Sequence, residues 1–171
     1  IPVLLAGGDN FGLVAVLTDE TSDAVEVLAP PLPNVSDEFL PGGYISIGKA
    51  PRSLALSPDN RWGIAVSETS YTLLEITTAA NIDSFPVDDT LLGAALSNDT
   101  AYLLREASLD AAPLENMQAL ETEQSLALDG VPSAIALNGD ASEGVIVVDG
   151  TQLVRFDPET LETTGSFAVE G

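Results

Sequence analysis

One short phrase recurs along this chain at a nearly constant interval, and it limits the possible folds more than any other feature. The phrase LALSPDN returns forty residues later as AALSNDT. Aligned on the shared aspartate, Asp59 and Asp99 are 40 residues apart, Asp99 and Asp140 are 41 apart, and Asp9 precedes Asp59 by 50. Self-similarity with such a period indicates a solenoid, a propeller or another repeat array.

The spacing divides the chain into four segments, 1–50, 51–90, 91–130 and 131–171. Each contains four short apolar runs rich in Val, Ile, Leu and Tyr, separated by turn residues, and such runs are typical of strands. Four antiparallel strands cannot cover both faces of their sheet alone, whereas copies stacked around an axis can. The sequence therefore predicts one all-β domain, a β-propeller with four four-stranded antiparallel blades in this chain.

The repeated phrase is predicted to form the innermost strand of each blade and the turn that leads outward. Near the axis, where blades converge, small side chains fit best, and the phrase supplies them at Ala6, Ala55, Ala95 and Ala136. Trp62 is predicted to pack within the second strand of its blade, at the position of Tyr102 in the next. Blade 3 is degenerate: we take 112–120 as its weak third run and expect at most a turn or two of helix near 108–118.

Residues 29–43 interrupt blade 1 between its third and fourth strands. Four prolines in this stretch make it stiff and extended. It is either a docking arm for a neighbouring domain or subunit, or a loop that packs on its own blade.

Read from tail to head, the ends of the chain give VEGIPVL, which continues the repeat in register. Three arrangements fit this pattern: a piece of a longer array, four blades that close on themselves, or two chains that complete one ring. Propellers contain about 4–8 blades. Further blades, a second copy of the chain or another protein are therefore the expected partners.

The chain is strongly acidic, with 27 Asp and Glu against 5 Lys and Arg and a net charge of −22. Such a surface repels nucleic acid and anionic membranes. No apolar run reaches the ~18 residues that span a bilayer, so membrane insertion is not expected. The acidity indicates either a halophilic-like surface adapted to salt or the binding of cations, above all Ca²⁺, which prefers carboxylate oxygens.

Cysteine and histidine are both absent. This excludes a disulfide framework, a zinc–sulfur site and a Ser–His–Asp triad within the chain. Because the first residue is Ile1, we expect that a leading segment has been removed and that the protein is exported, to the periplasm or the extracellular space.

Two phrases, PRSLALSPDNRWGIAVS and VRFDPETLETTGSFAVEG, resemble the YVTN-type and lactonase-like propeller repeats. That family opens a blade with P-x-x-[IL]-A-[LV]-S-P-D-G and turns from the third strand to the fourth with F-D-P-x-T. The matching residues are Pro51, Leu54, Ala55, Ser57, Pro58, Asp59, Phe156, Asp157, Pro158 and Thr160. The resemblance implies a propeller and raises the alternative of a lactonase-like or quinoprotein-like enzyme, but no catalytic set carries over, and none is assigned.

Propeller ligands bind at the axis or on the face that bears the loops between strands 2 and 3 and between blades. On that face the sequence places the carboxylates of Asp19, Glu20, Asp23, Glu68, Asp88, Asp89, Glu106, Asp110, Asp129 and Asp149. The candidate binding residues are Lys49, Arg52, Glu68 and Arg105; the candidate calcium ligands are Asp19, Glu20 and Asp23. Either this face binds a cation or a basic partner, or its loops are acidic because the whole chain is.

From these observations we expect a non-catalytic binding or scaffold module of an exported or cell-surface protein. The alternative is a propeller enzyme whose site lies at the axis or in blades outside this chain.

Overall fold

The computed structural model describes residues 3–7, 12–16, 24–28, 41–46, 51–76, 80–114 and 119–169. Within these segments the regular secondary structure is sixteen β-strands: β1 Val3–Gly7, β2 Gly12–Val16, β3 Ala24–Leu28, β4 Pro41–Ser46, β5 Ser53–Leu56, β6 Trp62–Val66, β7 Ser70–Glu75, β8 Ala80–Pro86, β9 Leu91–Leu96, β10 Thr100–Arg105, β11 Ser108–Pro113, β12 Gln124–Ala127, β13 Pro132–Leu137, β14 Gly144–Val148, β15 Gln152–Phe156 and β16 Thr163–Ala168. The same segments contain no helix that is both long and apolar enough to cross a membrane.

The strands form blades in chain order. In blades 2, 3 and 4 four antiparallel strands pair consecutively, as β5 to β8, β9 to β12 and β13 to β16. In blade 1, β1 pairs with β2 and β3 with β4, and β2 lies beside β3. The first strands of successive blades are neighbours, β1 beside β5, β5 beside β9 and β9 beside β13. The all-β propeller with four-stranded antiparallel blades is thus confirmed, and the first strands are the innermost.

Blade 3 shows how alternating side chains join the blades. Successive residues of a strand point to opposite faces of the sheet. In β10, Ala101 and Leu103 face blade 2, whereas Tyr102 and Leu104 face blade 4. All four are at most 3% exposed. Burying apolar surface is worth about 25 cal/mol per Å², so both faces of this blade contribute to stability.

The repeated phrase folds as the inner strand and a hydrogen-bonded turn. In blade 2 the Ser57 hydroxyl donates to Asp59 Oδ1 at 2.5 Å and accepts from the Trp62 amide at 2.9 Å. In blade 3 Ser97 does the same with Asp99 and the Thr100 amide, at 2.8 and 2.9 Å. The serine and aspartate recur because they satisfy backbone groups that a tight turn leaves unpaired.

Blade 4 uses different atoms for the same turn. Asn138 replaces the serine, and its Oδ1 accepts from the Glu143 amide at 3.0 Å. Asp140 Oδ1 accepts from the amide and the hydroxyl of Ser142 at 3.1 and 2.6 Å. Asn60 and Ala141, which follow the aspartates of blades 2 and 4, have φ angles of 59° and 55°. The two turns therefore share a left-handed residue directly after the aspartate.

Three sequence predictions about local structure are wrong. The third strand of blade 3 is β11, not 112–120. The helical turn expected near 108–118 is therefore absent from 108–113, where the chain is extended, and residues 115–118 lie outside the described segments. The insertion predicted over 29–43 ends earlier, because 41–43 already belong to β4; residues 29–40 lie outside the described segments. Trp62 is 8% exposed and packs as predicted, but it is not the counterpart of Tyr102. The turn of blade 2 is two residues longer than the turn of blade 3. Ile64, which lies opposite Ala55, therefore takes the place that Tyr102 has opposite Ala95.

The blades form an open series in the described segments. Blade 1 packs against blade 2, blade 2 against blade 3 and blade 3 against blade 4. No strand of blade 4 packs against blade 1 as consecutive blades do in these segments. The closed ring of four blades is therefore not what this part of the chain shows.

Candidate functional site

We call the face that bears the strand 2–3 loops and the blade-to-blade connections the loop face. It brings together two of the predicted binding residues. Arg52 Nη2 lies 2.8 Å from Glu68 Oε2, and both side chains are largely exposed. The backbone carbonyl of Glu68 also accepts from the Leu91 amide at 3.1 Å. Exposed ion pairs contribute about 0–1 kcal/mol. This pair therefore links the connection before β5 to the loop between β6 and β7, and it adds little to stability.

Arg105, the third predicted binding residue, does not join that pair. Its Nε donates to Asp110 Oδ2 at 2.5 Å, and its Nη1 lies 3.9 Å from Asp89 Oδ2. Asp110 is only 8% exposed, and Oδ1 accepts from the hydroxyls of Ser108 and Ser125 at 3.2 and 2.7 Å. A buried carboxylate satisfied by three donors stabilises β11 between β10 and β12.

The remaining predicted site residues lie outside the described segments: Lys49 and the candidate calcium ligands Asp19, Glu20 and Asp23. In the described part of the chain no group of three His, Cys, Asp or Glu side chains is placed to hold a metal ion. The binding role predicted for the loop face and the calcium site predicted at Asp19, Glu20 and Asp23 therefore stay predictions.

We call the opposite face, which bears the strand 1–2 and strand 3–4 turns, the turn face. It carries a cleft of about 390 Å³ between blades 3 and 4. Its walls come from the repeated turns of three blades and from the turn between β15 and β16. Its polar side chains are Ser97, Asn98, Asp99, Thr100, Glu123, Gln124, Asp140 and Glu159. Among the described residues that line it, four are acidic and none is basic.

Two of the four carboxylates belong to the turns and are held by them. Asp99 accepts from Ser97 and from the Thr100 hydroxyl at 3.2 Å. Hydrogen bonds from the Ser142 hydroxyl and amide hold the pKa of Asp140 below its usual value, because they favour the charged form. These two groups fix the shape of the cleft, whereas Glu123 and Glu159 are exposed at its rim.

Two hydrogen bonds between blades, one buried and one exposed, support the cleft. The Tyr102 hydroxyl donates to the carbonyl of Pro158 at 3.0 Å and so joins blade 3 to the last turn of blade 4. Burial raises the pKa of Tyr102, which keeps this donor protonated. The Asp59 amide donates to Asn98 Oδ1 at 3.0 Å and joins the turns of blades 2 and 3. The cleft is therefore preformed by contacts between blades.

A second concavity of about 260 Å³ lies against the inner strands β5, β9 and β13. Its lining includes Ala55, Ala95 and Ala136, the small residues that the sequence placed near the axis, together with larger aliphatic side chains. No charged side chain is among its described lining residues. Its polar side chains are those of Ser53 and Asn138, so the cleft on the turn face is the candidate with charged groups.

The sequence reasoning missed this cleft because it looked for ligands on the loop face. The signal was nevertheless present, since the repeated turn phrase brings a polar residue and a carboxylate to the turn face in blades 2, 3 and 4. Only the arrangement of Glu123 and Gln124 beside Glu159 could not be found by spacing, because these residues come from different blades.

Comparisons with known proteins support the fold and leave the activity open. No family model matches this chain, and no curated protein is similar to it in sequence. Among solved structures, hydrazine synthase from Kuenenia stuttgartiensis, a β-propeller-containing protein, is similar with a TM-score of 0.73 at 14% identity. The match covers 99% of this chain and 49% of that one, so this chain spans about half its length. As 1035 solved chains match significantly, the shared fold does not single out a function.

Proposed function

We propose that this chain is a non-catalytic binding or scaffold module of an exported or cell-surface protein, and that the turn-face cleft holds a cationic segment of a protein partner. The cleft carries the proposal. Its volume of about 390 Å³ lies within the roughly 300–1,000 Å³ typical of binding sites. Its lining combines neutral hydrogen-bonding groups with carboxylates.

The charge of the site supports a basic partner. Asp99 and Asp140 are committed to the turns, and the exposed Glu123 and Glu159 can pair with Lys or Arg side chains at the rim. The net charge of −22 attracts cationic partners from a distance and raises their association rate. Because exposed ion pairs are weak and screened by salt, the affinity should be modest and should fall with ionic strength.

The experiment is a calorimetric titration with a Lys- and Arg-rich peptide, and with a peptide in which Glu replaces each basic residue. The double variant Glu123→Gln/Glu159→Gln should weaken binding of the basic peptide about three- to tenfold, since two rim pairs contribute about 0–1 kcal/mol each. The matched control is Asp88→Asn/Asp129→Asn, which removes the same charge from the exposed loop face. Equal weakening by both variants, or no binding of the basic peptide, would refute the proposal.

We also propose that the repeat is of the YVTN type. The family phrase S-P-D-G places glycine where Asn60 and Ala141 stand, and both have φ angles that favour glycine. This agreement supports the resemblance at a position that spacing alone does not test. If the turn is the family turn, Ala141→Gly should raise the melting temperature, whereas a lower melting temperature would contradict the assignment.

Two further expectations stay predictions. Hydrolysis of any member of a lactone panel by the purified chain would favour the lactonase-like or quinoprotein-like alternative over a binding module. Export is tested by immunodetection in the fractions of the source cell, where a signal confined to the cytoplasm would contradict it.

A further inference from the structure

The repeated turns differ at the residue that directly precedes the shared aspartate. That residue is Pro58 in blade 2, Asn98 in blade 3 and Gly139 in blade 4. Gly139 is exposed, and its φ lies outside the left-handed region that favours glycine. The backbone of blade 4 therefore does not require glycine at this position, and the reason for the missing side chain lies in its surroundings.

In blade 3 the corresponding side chain joins two turns. Asn98 Oδ1 accepts from the Asp59 amide of blade 2 at 3.0 Å. Because the donor is a backbone N–H, the accepting atom of the carboxamide must be its oxygen. The Asp59 carboxylate serves its own turn, where Oδ1 accepts from the Ser57 hydroxyl and the Arg61 amide at 2.5 and 3.0 Å. The side chain of one turn thus completes the hydrogen bonding of the turn before it.

Blade 4 has no side chain for the same task. Asp99 is the counterpart of Asp59, and Gly139 stands where a bridging asparagine would be. Within the described segments the Asp99 amide has the Ser97 hydroxyl as its acceptor, at 3.4 Å, beyond the usual range for such a bond. That oxygen already accepts from the Thr100 amide at 2.9 Å. The Asp99 amide is therefore a donor without a good acceptor, between blades 3 and 4.

The unfilled position lies at the inner end of the turn-face cleft. Asn98, Asp99 and Asp140 line the cleft. Gly139 lines the second concavity, against the inner strands, and Pro58 lines both. Asn98 is exposed, so its Nδ2 is a second donor available at this end. The inner end thus offers N–H groups, whereas the rim offers the carboxylates of the proposed cation contacts.

A neutral carbonyl oxygen fits two donors in this setting. Such an oxygen has two lone pairs and can accept from two N–H groups at once. A carboxylate could accept as well, but Asp99 and Asp140 line the same end and disfavour a further negative charge. A lysine or arginine head group has no acceptor to offer. The inner end therefore selects a neutral amide oxygen, and the rim selects basic side chains.

We propose that the inner end of the cleft is a subsite for an amide carbonyl of the bound segment, which accepts from the Asp99 amide, and that Gly139 keeps this subsite open. The subsite rests on the function proposed above, because the carbonyl belongs to the cationic segment held in the cleft. It adds a selectivity that the rim charges do not supply. A bound segment that lacks the carbonyl leaves the Asp99 amide unpaired, and an unpaired donor is costly once it is covered.

The test introduces the missing side chain with Gly139→Asn. By the pattern of blades 2 and 3, its carboxamide should accept from the Asp99 amide, so hydrogen exchange of that amide, followed by NMR, should slow about three- to tenfold in the free protein. The same substitution should weaken calorimetric binding of the Lys- and Arg-rich peptide about three- to tenfold. The matched control is Gly150→Asn, on the loop face of the same blade, where a Cβ meets nothing within 4 Å. Its φ of 70° is one that asparagine tolerates, and it should leave both measurements unchanged.

The wild-type chain gives a second readout that does not depend on the folding of a variant. The Lys- and Arg-rich peptide should slow exchange of the Asp99 amide and leave the Asp59 amide, which is already bonded, unchanged. If the peptide binds in a manner that depends on Glu123 and Glu159 but does not protect Asp99, the subsite is wrong and the proposed function stands. If the peptide does not bind, both are wrong. Undiminished binding to a folded Gly139→Asn variant would also overturn the subsite.

Discussion

The pairing of Gly144 with Phe156 across β14 and β15 makes a measurable prediction about blade 4. A Cβ atom at Gly144 would overlap three atoms of the Phe156 ring. The ring has no exposed surface and packs beside Tyr102 with its centroid 6.1 Å away. It cannot move towards solvent, so Gly144→Ala must displace packed core groups.

The expected cost follows from overpacking, which typically destabilises by about 1–3 kcal/mol. In a domain of this size 1 kcal/mol corresponds to about 2–4 °C. Gly144→Ala should therefore lower the melting temperature by roughly 2–12 °C. In the Phe156→Leu background, where no ring occupies the space, the added methyl group should cost much less, and the coupling between the two changes should reach about 0.5–3 kcal/mol.

Thermal and urea unfolding of the two single variants, the double variant and the wild type at one protein concentration provide the cycle. Gly93→Ala is the control, because a Cβ there meets Ser53 and Ile135 at ordinary contact distances of 3.6–3.9 Å. That variant should be neutral or stabilised by up to about 1 kcal/mol, since alanine restricts the unfolded chain. If Gly144→Ala is as stable as the control, or if its cost is unchanged beside Phe156→Leu, the reasoning is refuted.

Four further results are expected. Ala141→Gly should stabilise by up to about 1.5 kcal/mol, because relief of a left-handed φ of 55° is worth about 1–2 kcal/mol and the greater freedom of glycine in the unfolded chain costs about 0.4–1 kcal/mol, as seen in urea unfolding. Tyr102→Phe should cost about 0.5–1.5 kcal/mol by removing a buried hydrogen bond to a backbone carbonyl, also in urea. Ser142→Ala should return the low pKa of Asp140 towards its ordinary value in an NMR titration. KCl should raise the melting temperature by screening, and millimolar CaCl₂ should add to it beyond MgCl₂ only if the acidic loops form a specific calcium site, for which Asp19, Glu20 and Asp23 are the candidate ligands.

The three substitutions among these predictions each have an outcome that contradicts them. A destabilised Ala141→Gly would mean that the left-handed residue is not strained, and an unchanged Tyr102→Phe would mean that water replaces the lost donor. The sign for Asp140 is fixed: a lowered carboxyl pKa contributes stability above the ordinary carboxyl range that is lost as pH falls through the folded pKa. Ser142→Ala should therefore be less acid-resistant than wild type, and a more acid-resistant variant would contradict the assignment.

The regular parts of the fold follow from the sequence because local chemistry determines them. In blades 2 and 4 apolar alternation and turn residues agree, so strands such as β6 and β14 begin and end within a residue or two of the apolar runs. The third strand of blade 3 was missed because Asp110 interrupts its apolar pattern. That charge is satisfied by Arg105 on β10 and Ser125 on β12, contacts that no local pattern reveals.

The candidate site was less accessible to sequence reasoning for a geometric reason. The cleft joins Asn98 and Glu123, from two turns of blade 3, with Glu159 from a turn of blade 4. Which loops meet depends on the rotation between blades, and a repeat period does not encode that rotation. Spacing could assign each residue to a turn, but it could not say that the strand 1–2 side holds the larger polar concavity.

The consecutive pairing of strands in every blade has a consequence for how the chain folds. Each ladder joins neighbours in sequence, so hairpins can form early, before longer loops are closed. Blades then associate only with adjacent blades, as in a one-dimensional array with nearest-neighbour coupling. Amide hydrogen exchange should therefore be slowest in β10, which lies at the centre of two cores, and should become faster in the outer strands of blade 4, where local opening exposes least new surface.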